Sequence, residues 1–425
     1  MQYAIVGNGV AGVTAAQAIV RAAPSAQVHI YGAEPFAYYA RPRLWEFIAG
    51  ETSVDALTFR PQEWYAERGI HLHLGARVTS LDPAAHRLTL RPSSGQALRP
   101  SSGQALADGS SVTFDRLLLA MGSRSFVPPF EGKDKQGVFS LRSLDDALAI
   151  KDYAQGISSA VVVGGGLLGL ETARALLSAG LSVTVLEFAP YLMPRQLDRQ
   201  GAQVLKTCLE TIGLRLILTS AETQAILGDE RATGVRLKDG QVIEGELVLI
   251  STGIRSQVEL AQKAGLRVKH GVVVDEHLCT SAPDVYAAGD VAEFEGRVYG
   301  IIPAAIEQAR AAAANMVSNG SAVYSGTVPA TTLKVVGIDL SCLGDATADG
   351  DEVLVLRRSD EAACTYRRLA LRDGKIIGAI LIDDKKSTQP LKQLIATGRD
   401  VSAYVDRLLD ESFDLKALAR GQTPN

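Results

Sequence analysis

Short apolar runs that stop at a glycine recur along this chain. Tyr3-Ala4-Ile5-Val6 ends at Gly7 and Ala160-Val161-Val162-Val163 at Gly164, while Leu117–Met121 and Leu247–Thr252 end at Gly122 and Gly253. Continuous apolar runs of this length predict strands buried on both faces, as in a parallel sheet covered by helices. The first two are each followed by an alanine- or leucine-rich segment of helical character, Val13–Arg21 and the stretch reaching Ala179-Gly180. A further apolar strand follows each helix, Val28–Tyr31 and Ser182–Leu186. The pattern predicts a βαβ unit twice over.

Elsewhere the pattern alternates. His71–Leu74 and Arg77–Leu81 read as a strand pair in which His71 and His73 face water, and His86–Leu90 and Ser111–Phe114 read as two more strands. Between these last two, Arg-Pro-Ser-Ser-Gly-Gln-Ala-Leu occurs twice in tandem from Arg91 to Leu106. That polar, Gly/Pro/Ser-rich stretch predicts an exposed loop, in which a duplication costs little. Ser143 and Asp146 form a capping pair for a helix, and Asp239-Gly240 turns a hairpin between Val235–Leu237 and Val242–Gly245. Each half thus reads as a βαβ unit, a meander and a strand ending at glycine, which points to a duplicated domain. From about residue 326 strands dominate: Thr332–Val336, Val353–Leu356, Tyr366–Leu371 and Lys375–Ile382, the last two joined at Asp373-Gly374. Helical segments at Pro390–Ala396 and Ser402–Leu409 follow.

Composition narrows the class. At 425 residues, 47% hydrophobic and 21% charged, the chain has the make-up of a soluble enzyme with two to three domains. A net charge of −4 gives no pull toward nucleic acid, and no apolar run is long enough to span a bilayer. The first strand begins at residue 3, so no secretory leader is expected. Cys208, Cys279, Cys342 and Cys364 show neither C-x-x-C nor metal spacing, and the six histidines form no cluster. The expectation is four thiols serving as small core residues in a reducing cytoplasm, and no metal site.

The glycines carry the chemistry. Both βαβ turns read G-x-G-x-x-G, with Gly7, Gly9 and Gly12 in one and Gly164, Gly166 and Gly169 in the other. The first glycine makes the tight bend, the second lets the backbone approach a pyrophosphate, and the third lets helix and strand pack closely. The diphosphate would rest on the helix N-terminus, where free N–H groups and the positive dipole end meet it. Such a fold wants an acid for ribose hydroxyls at the end of its second strand. Glu187 stands there in the second unit; in the first, Gly32 takes the place and Glu34 follows, either a ribose ligand or an exposed loop carboxylate. Arg41, within the aromatic and basic Tyr38–Leu44, reads as a diphosphate or adenosine contact or as a solvated arginine. The strand Val285–Ala288 closes on Gly289-Asp290, whose carboxylate can bind a ribityl hydroxyl or simply sit in a turn. Pro303 opens an alanine-rich helix running to Met316, whose dipole would stabilise negative charge by about 0.3–1 kcal/mol.

With both glycine motifs, the Ala120-Met121-Gly122 strand end and the T-S-x-x-x-V-Y-A-x-G-D stretch from Thr280 in view, a resemblance is plain. Over nearly its whole length the chain resembles the pyridine nucleotide-disulfide oxidoreductase superfamily. Tyr38–Pro42 and Ile48-Ala49-Gly50 are most similar to NADH:rubredoxin oxidoreductases and to the flavin portion of NADH-dependent nitrite reductases. The resemblance implies an α/β fold of two Rossmann-like three-layer nucleotide-binding domains plus a C-terminal α+β interface-type domain. FAD is expected in residues 1–124 and 250–325, NAD(H) in 125–249, and the interface-type domain in 326–425. By the same resemblance Gly7, Gly9, Val10, Ala11 and Gly12 hold the FAD diphosphate, while Glu34 and Arg41 lie on the adenosine side. Val78 touches adenine through its backbone, Ala120, Gly122 and Arg124 line the cofactor, and Gly289-Asp290 meets the ribityl chain. Amides beyond Pro303 face the pyrimidine edge of the flavin. Gly164, Gly166, Leu168, Gly169, Glu187 and Gly253 match the NADH site, and Glu171 is the catalytic position where nicotinamide approaches the flavin.

Three departures shape the expected chemistry. The C-x(4)-C pair of disulfide reductases is missing, with no cysteine near Arg41–Gly50, which argues against disulfide chemistry. Related ferredoxin reductases often carry a lysine where Glu46 stands, so a Lys–Glu pair with Glu171 does not form here. The family's G-x-x-P-N reads Gly253-Ile254-Arg255-Ser256-Gln257. The expected activity is hydride transfer from NADH to FAD, then electron delivery to a rubredoxin- or ferredoxin-like carrier or a redox partner subunit. The alternatives are an NADH oxidase making peroxide and a flavin-bound, NADH-responsive interaction protein; the oligomeric state stays open.

Overall fold

A computed structural model describes residues 1–92, 109–214, 216–327, 330–335 and 337–423, so the duplicated octapeptide lies almost wholly outside the described residues. The chain divides into two compact units. One comprises Met1–Arg43, Ser53–Ser125 and Ile254–Thr327, the other Leu44–Thr52, Phe126–Gly253 and Val328–Asn425.

The first unit is built on a parallel sheet in the order Val285–Ala287, Arg116–Leu119, Gln2–Val6, Gln27–Tyr31 and Ile70–His73. The central strand runs Ile5 between Ile30 and Leu118, all three fully buried, as a strand covered on both faces requires. The helices Val10–Ala22 and Ile302–Val317 pack on each other through small side chains, among them Ala15, Ala16, Ala309 and Ala312. An antiparallel meander, Ala76–Asp82, Arg87–Pro92 and Ser111–Thr113, joins the same core through Leu81, Leu88 and Leu90. The expected strand pair around residues 71–81 does not form. Ile70–His73 pairs in parallel with Gln27–Tyr31, and the next strand turns away at Gly75 (φ +65°) to begin the meander. Nor does His73 face water. It is 8% exposed, stacks on Tyr31 and lies 3.1 Å, nitrogen to nitrogen, from His29.

The second unit repeats the parallel plan with Val138–Phe139, Leu247–Ile250, Ser159–Val163, Ser182–Leu186 and Leu216–Leu218. Leu167–Ser178 is its glycine-loop helix, and Ser143 and Asp146 form the capping box of the helix Leu144–Ala154. An amphipathic helix, Arg199–Thr211, absent from the sequence reading, starts at its N-cap Asp198 and stops at Gly213 (φ +101°), just past its C-cap Ile212. In the same unit an antiparallel sheet runs Ala330–Val335, Ile338–Gly344, Lys375–Ile382, Thr365–Arg372 and Leu354–Asp360, turning at Asp373-Gly374 (φ +50° and +69°). Lys385–Thr397 packs on that sheet, starting ahead of Pro390, and Ser402–Arg407 is a 3₁₀ turn rather than an α-helix.

The cysteine expectation needs correcting. Cys208, on Arg199–Thr211, and Cys364, at the turn before Thr365–Arg372, are disulfide-bonded with Cα atoms 5.7 Å apart, which removes the thiol argument for a reducing compartment. Cys279 and Cys342 are free. Among the described residues no helix is long and apolar enough to cross a membrane, and no three His, Cys, Asp or Glu side chains are grouped to hold a metal.

Candidate functional site

In the first unit the strand Gln2–Val6 hands over to the helix Val10–Ala22 through Gly7, at φ +116°. A Cβ there would lie 2.2 Å from the Ala120 carbonyl oxygen, and one at Gly12 would lie 2.0 Å from the Gly7 carbonyl oxygen. Both positions therefore demand glycine for packing. Gly9 differs: a Cβ would meet nothing within 4 Å. It is the helix N-cap, no side chain caps that end, and the first turn has no acid. An open concavity of backbone N–H groups at an uncapped helix start is what a diphosphate fits.

Other expected residues collect around this cradle. A Cβ added at Gly289 would lie 3.1 Å from the Ala11 methyl, and Gly289 is held by its N–H donating to Gln308 Oε1 at 2.8 Å. Ser123 donates to Asp290 Oδ2 at 2.8 Å, and Ser256 donates to the Asp290 carbonyl at 2.6 Å, fixing the carboxylate at a strand end. Glu34 is engaged by Arg41 and by the Tyr39 hydroxyl, each at 2.5 Å, with Arg41 also 2.7 Å from Tyr39 oxygen. Ser123, Ser256, Gln308 and Tyr39 escaped the sequence reading; only Tyr39, beside Arg41, carried a local signal. Two further expected residues have these surroundings. Arg124 is exposed and paired with Glu259 at 2.7 Å. Val78 sits at a bulge and lines a cavity of about 750 Å³ with Arg77, Thr79 and Lys263, to which Gly7, Gly9 and Gly12 do not contribute. Pro303 lies in the first turn of Ile302–Val317, whose N-cap, Ile301, offers no side-chain bond.

The second unit rebuilds the cradle almost atom for atom. Gly164 has φ +118°, and its Cβ would lie 2.2 Å from the Ser251 carbonyl oxygen. A Cβ at Gly169 would lie 2.0 Å from the Gly164 carbonyl oxygen, while Gly166 again has nothing within 4 Å. Leu168 carbonyl accepts from Thr172 Oγ1 at 2.7 Å, and the Gly253 carbonyl accepts from Phe126 N–H at 2.9 Å. Glu187 is drawn back onto the loop: its carboxylate accepts from Gly165 N–H at 2.7 Å and from Ala189 N–H at 2.8 Å. The neighbouring Phe188 is 72% exposed. Glu171, on Leu167–Ser178, is only 9% exposed, and burial followed by the charge of Glu46 pushes its carboxyl up to about 8.

Two glycine cradles, each at the carboxyl end of its own parallel sheet, define a tandem dinucleotide-binding protein. Residues 1–314 match the pyridine nucleotide-disulphide oxidoreductase family, and residues 329–399 match the rubredoxin NAD+ reductase C-terminal domain. The chain belongs to the pyridine nucleotide-disulphide oxidoreductase family, whose members use FAD and NAD(P)H. It is 34% identical over 402 residues to the nitrite reductase [NAD(P)H] of Bacillus subtilis, covering 94% of this chain and 48% of that protein. It is 30% identical over 408 residues to the NADH-rubredoxin oxidoreductase of Clostridium acetobutylicum, covering 96% of this chain and 98% of that one. The chain thus spans about half the length of the nitrite reductase it matches and nearly all of the rubredoxin enzyme. The crystal structure of a covalent putidaredoxin reductase–putidaredoxin complex aligns with a TM-score of 0.84 at 26% identity, covering 99% of this chain and 98% of that one.

Proposed function

We propose that this chain takes hydride from NADH onto FAD and passes the electrons singly to a small iron–sulfur carrier of the rubredoxin or ferredoxin kind. FAD would occupy residues 1–124 and 250–325, and NADH residues 125–249, with 326–425 as the interface-type domain. Bound FAD supplies the step-down from a two-electron donor to a one-electron acceptor. The chain's own residues do the holding. The Val10–Gly12 turn presents N–H groups to the FAD diphosphate, Glu34 with Arg41 grips the adenosine side, and Asp290, steadied by Ser123, takes a ribityl hydroxyl. The helix start at Pro303 favours negative charge at the far end of the ring system. Gly164, Gly166, Leu168 and Gly169 cradle the NADH diphosphate, with Glu171 on the nicotinamide side.

The single observation that carries the reading is the pair of matched cradles without a C-x(4)-C cysteine pair after the first, which leaves an external carrier rather than a protein disulfide as acceptor. The named relatives, a rubredoxin oxidoreductase and a putidaredoxin reductase, support a small protein acceptor. NADH is favoured over NADPH in this reading because the Glu187 carboxylate, held on the glycine loop, would repel a 2′-phosphate brought near it. A unit charge pair about 4 Å apart repels by roughly 4 kcal/mol at an effective dielectric near 20, before salt screening. The test is anaerobic mixing of the yellow protein with NADH, followed by turnover with rubredoxin, ferredoxin or oxygen. Rapid bleaching and carrier reduction are expected. Bleaching with turnover on oxygen alone would replace the carrier by an oxidase reading, and no bleaching would overturn both.

A further inference from the structure

The helix Arg199–Thr211 is fastened to the antiparallel sheet of residues 330–382 at both ends, by unlike chemistry. At its start the ties are polar. Asp198, the N-cap, accepts from Gly201 N–H at 3.0 Å, from the Tyr366 hydroxyl at 2.8 Å and from Arg357 Nε at 3.1 Å. Gln200 donates to Ser359 Oγ at 3.0 Å, and Cys342 Sγ donates to the Gln196 carbonyl at 3.3 Å. Gly201 makes room for this, since a Cβ there would lie 2.9 Å from the Tyr366 ring. About 15 Å further along the axis the tie is covalent, Cys208 to Cys364, with Cα atoms 5.7 Å apart. Among the described residues no hydrogen bond or ion pair joins residues 204–213 to that sheet. The two sulfurs differ in access. Cys208 is 2% exposed, whereas Cys364 is part-exposed, at φ +55°, on a turn whose Glu361, Ala362 and Ala363 face solvent.

We propose that Cys208–Cys364 is a thiol–disulfide exchange site, opened on the folded chain by an external protein dithiol of the thioredoxin kind. A thiolate of that dithiol attacks Cys364 Sγ, the sulfur that solvent reaches. The Cys208–Cys364 bond breaks as the mixed disulfide forms, and Cys208 leaves as a thiolate that takes a proton. The attacker's second thiol then displaces Cys364, which takes a proton in turn. Two electrons have passed from the dithiol, now a disulfide, to the pair, now two thiols. Cys342 does not reshuffle the pair, because burial pushes its thiol up to about 12 and so denies it the thiolate form. Opening frees one end of the helix and leaves the Asp198 end bound, since each end is held by its own groups. The grip of the sheet on the helix thus follows the thiol poise of the surroundings, and a disulfide oxidant such as oxidised glutathione closes it again.

The experiment uses the full chain with FAD bound. Pre-reduced thioredoxin is added without denaturant, the reaction is quenched in acid, and thiols are alkylated in denaturant and counted by mass. Two thiols, those of Cys279 and Cys342, are expected before treatment and four after, with the flavin absorbance unchanged. Hydrogen exchange of the opened form should rise at residues 204–213 and 361–365 and stay level at residues 196–201. Oxidised glutathione should restore the two-thiol count and the original exchange. A chain isolated with four thiols that oxidised glutathione brings to two supports the same site. Cys364→Ser should show the opened exchange pattern without reductant and gain no thiol on treatment; a Cys364→Ser chain that does not fold marks the bond as structural and overturns the proposal. A count that stays at two until the chain is denatured, or four thiols that oxidised glutathione does not close, overturns it as well. So does exchange that rises at residues 196–201 as much as at 204–213, which would make the bond the whole fastening.

Discussion

The two glycine cradles share their backbone and differ in what surrounds it. At the tight bend φ is +116° in one and +118° in the other, and the forbidden Cβ meets a carbonyl oxygen at 2.2 Å in both. Around that common frame the first unit packs its helix on alanines of a second, long helix. The second unit buries a carboxyl, Glu171, on its helix instead. Their acids diverge too: Glu34 is bound outward to Tyr39 and Arg41, whereas Glu187 is bound inward to the amides of its own loop. Under the proposed assignment the first wall surrounds a tightly held cofactor and the second a substrate that must come and go.

The largest effects should come from what the cradles share. Gly12→Ala and Gly169→Ala each force a methyl to 2.0 Å from a backbone carbonyl oxygen, and backbone cannot step aside. Each should cost about 3 kcal/mol or more, seen as lost soluble yield or a collapsed melting temperature. Equal losses would confirm that both bends are structural; a tolerated substitution in either would break the equivalence. The middle glycines separate the units. Gly9→Ala and Gly166→Ala meet nothing in the protein, so both should fold and only the space for a diphosphate should fill. Gly9→Ala should purify colourless. Gly166→Ala should stay yellow while its NADH dissociation constant rises ~100-fold, about 2.7 kcal/mol. A Gly166→Ala protein that loses its flavin would reverse the assignment of the two sites.

Next comes the difference between the acids. Glu187→Gln should lower the ratio of kcat/KM for NADH over NADPH by roughly 10- to 100-fold, since the charge is removed; the amide oxygen can keep only one of the two bonds from Gly165 and Ala189 N–H, its NH2 being a donor. Glu34→Gln should leave that ratio unmoved and weaken flavin retention. If the two substitutions act alike, the inward and outward arrangements carry no functional meaning.

What could be read in advance follows the range of each interaction. The bends were legible because a positive φ at Gly7 and Gly164, and the clash of Gly12 and Gly169 with those same bends, dictate glycine within six residues, and Asp373-Gly374 likewise announced its own turn. Glu34, Tyr39 and Arg41 lie within eight residues, so their association was half visible. Ser123 meets Asp290 across 167 positions and Cys208 meets Cys364 across 156, and no local pattern encodes such pairings. Ile70–His73 misled for a related reason: its alternation fits a strand in any sheet, and only the assembled sheet decides that Gln27–Tyr31 is its partner. The helix Lys385–Thr397 starts five residues ahead of Pro390, where the expected segment Pro390–Ala396 begins.

The comparison that sets the units most directly against each other is their response to pH. In the first unit burial, and then neighbouring imidazoles, pull His29 and His73 down from 6.5 to about 4. Their folded form resists a proton that the unfolded chain takes up. The stability they report is complete above pH 6.5 and is lost as pH falls toward 4. In the second unit Glu171 is raised from 4.5 to about 8, so the folded form keeps a proton the unfolded chain gives up. Its contribution is complete below pH 4.5 and is lost as pH rises through 8. Each slope is bounded at about 1.4 kcal/mol per pH unit per group. Hydrogen exchange followed peptide by peptide resolves the two. Acid should loosen Gln27–Tyr31 and Ile70–His73 first, and alkali should loosen Leu167–Ser178 first. His73→Phe, which keeps the stack on Tyr31, should flatten only the acid limb, and Glu171→Gln only the alkaline one. A single limb shared by all peptides would mean that the chain unfolds as one body, and would erase the distinction between the two cradles' surroundings.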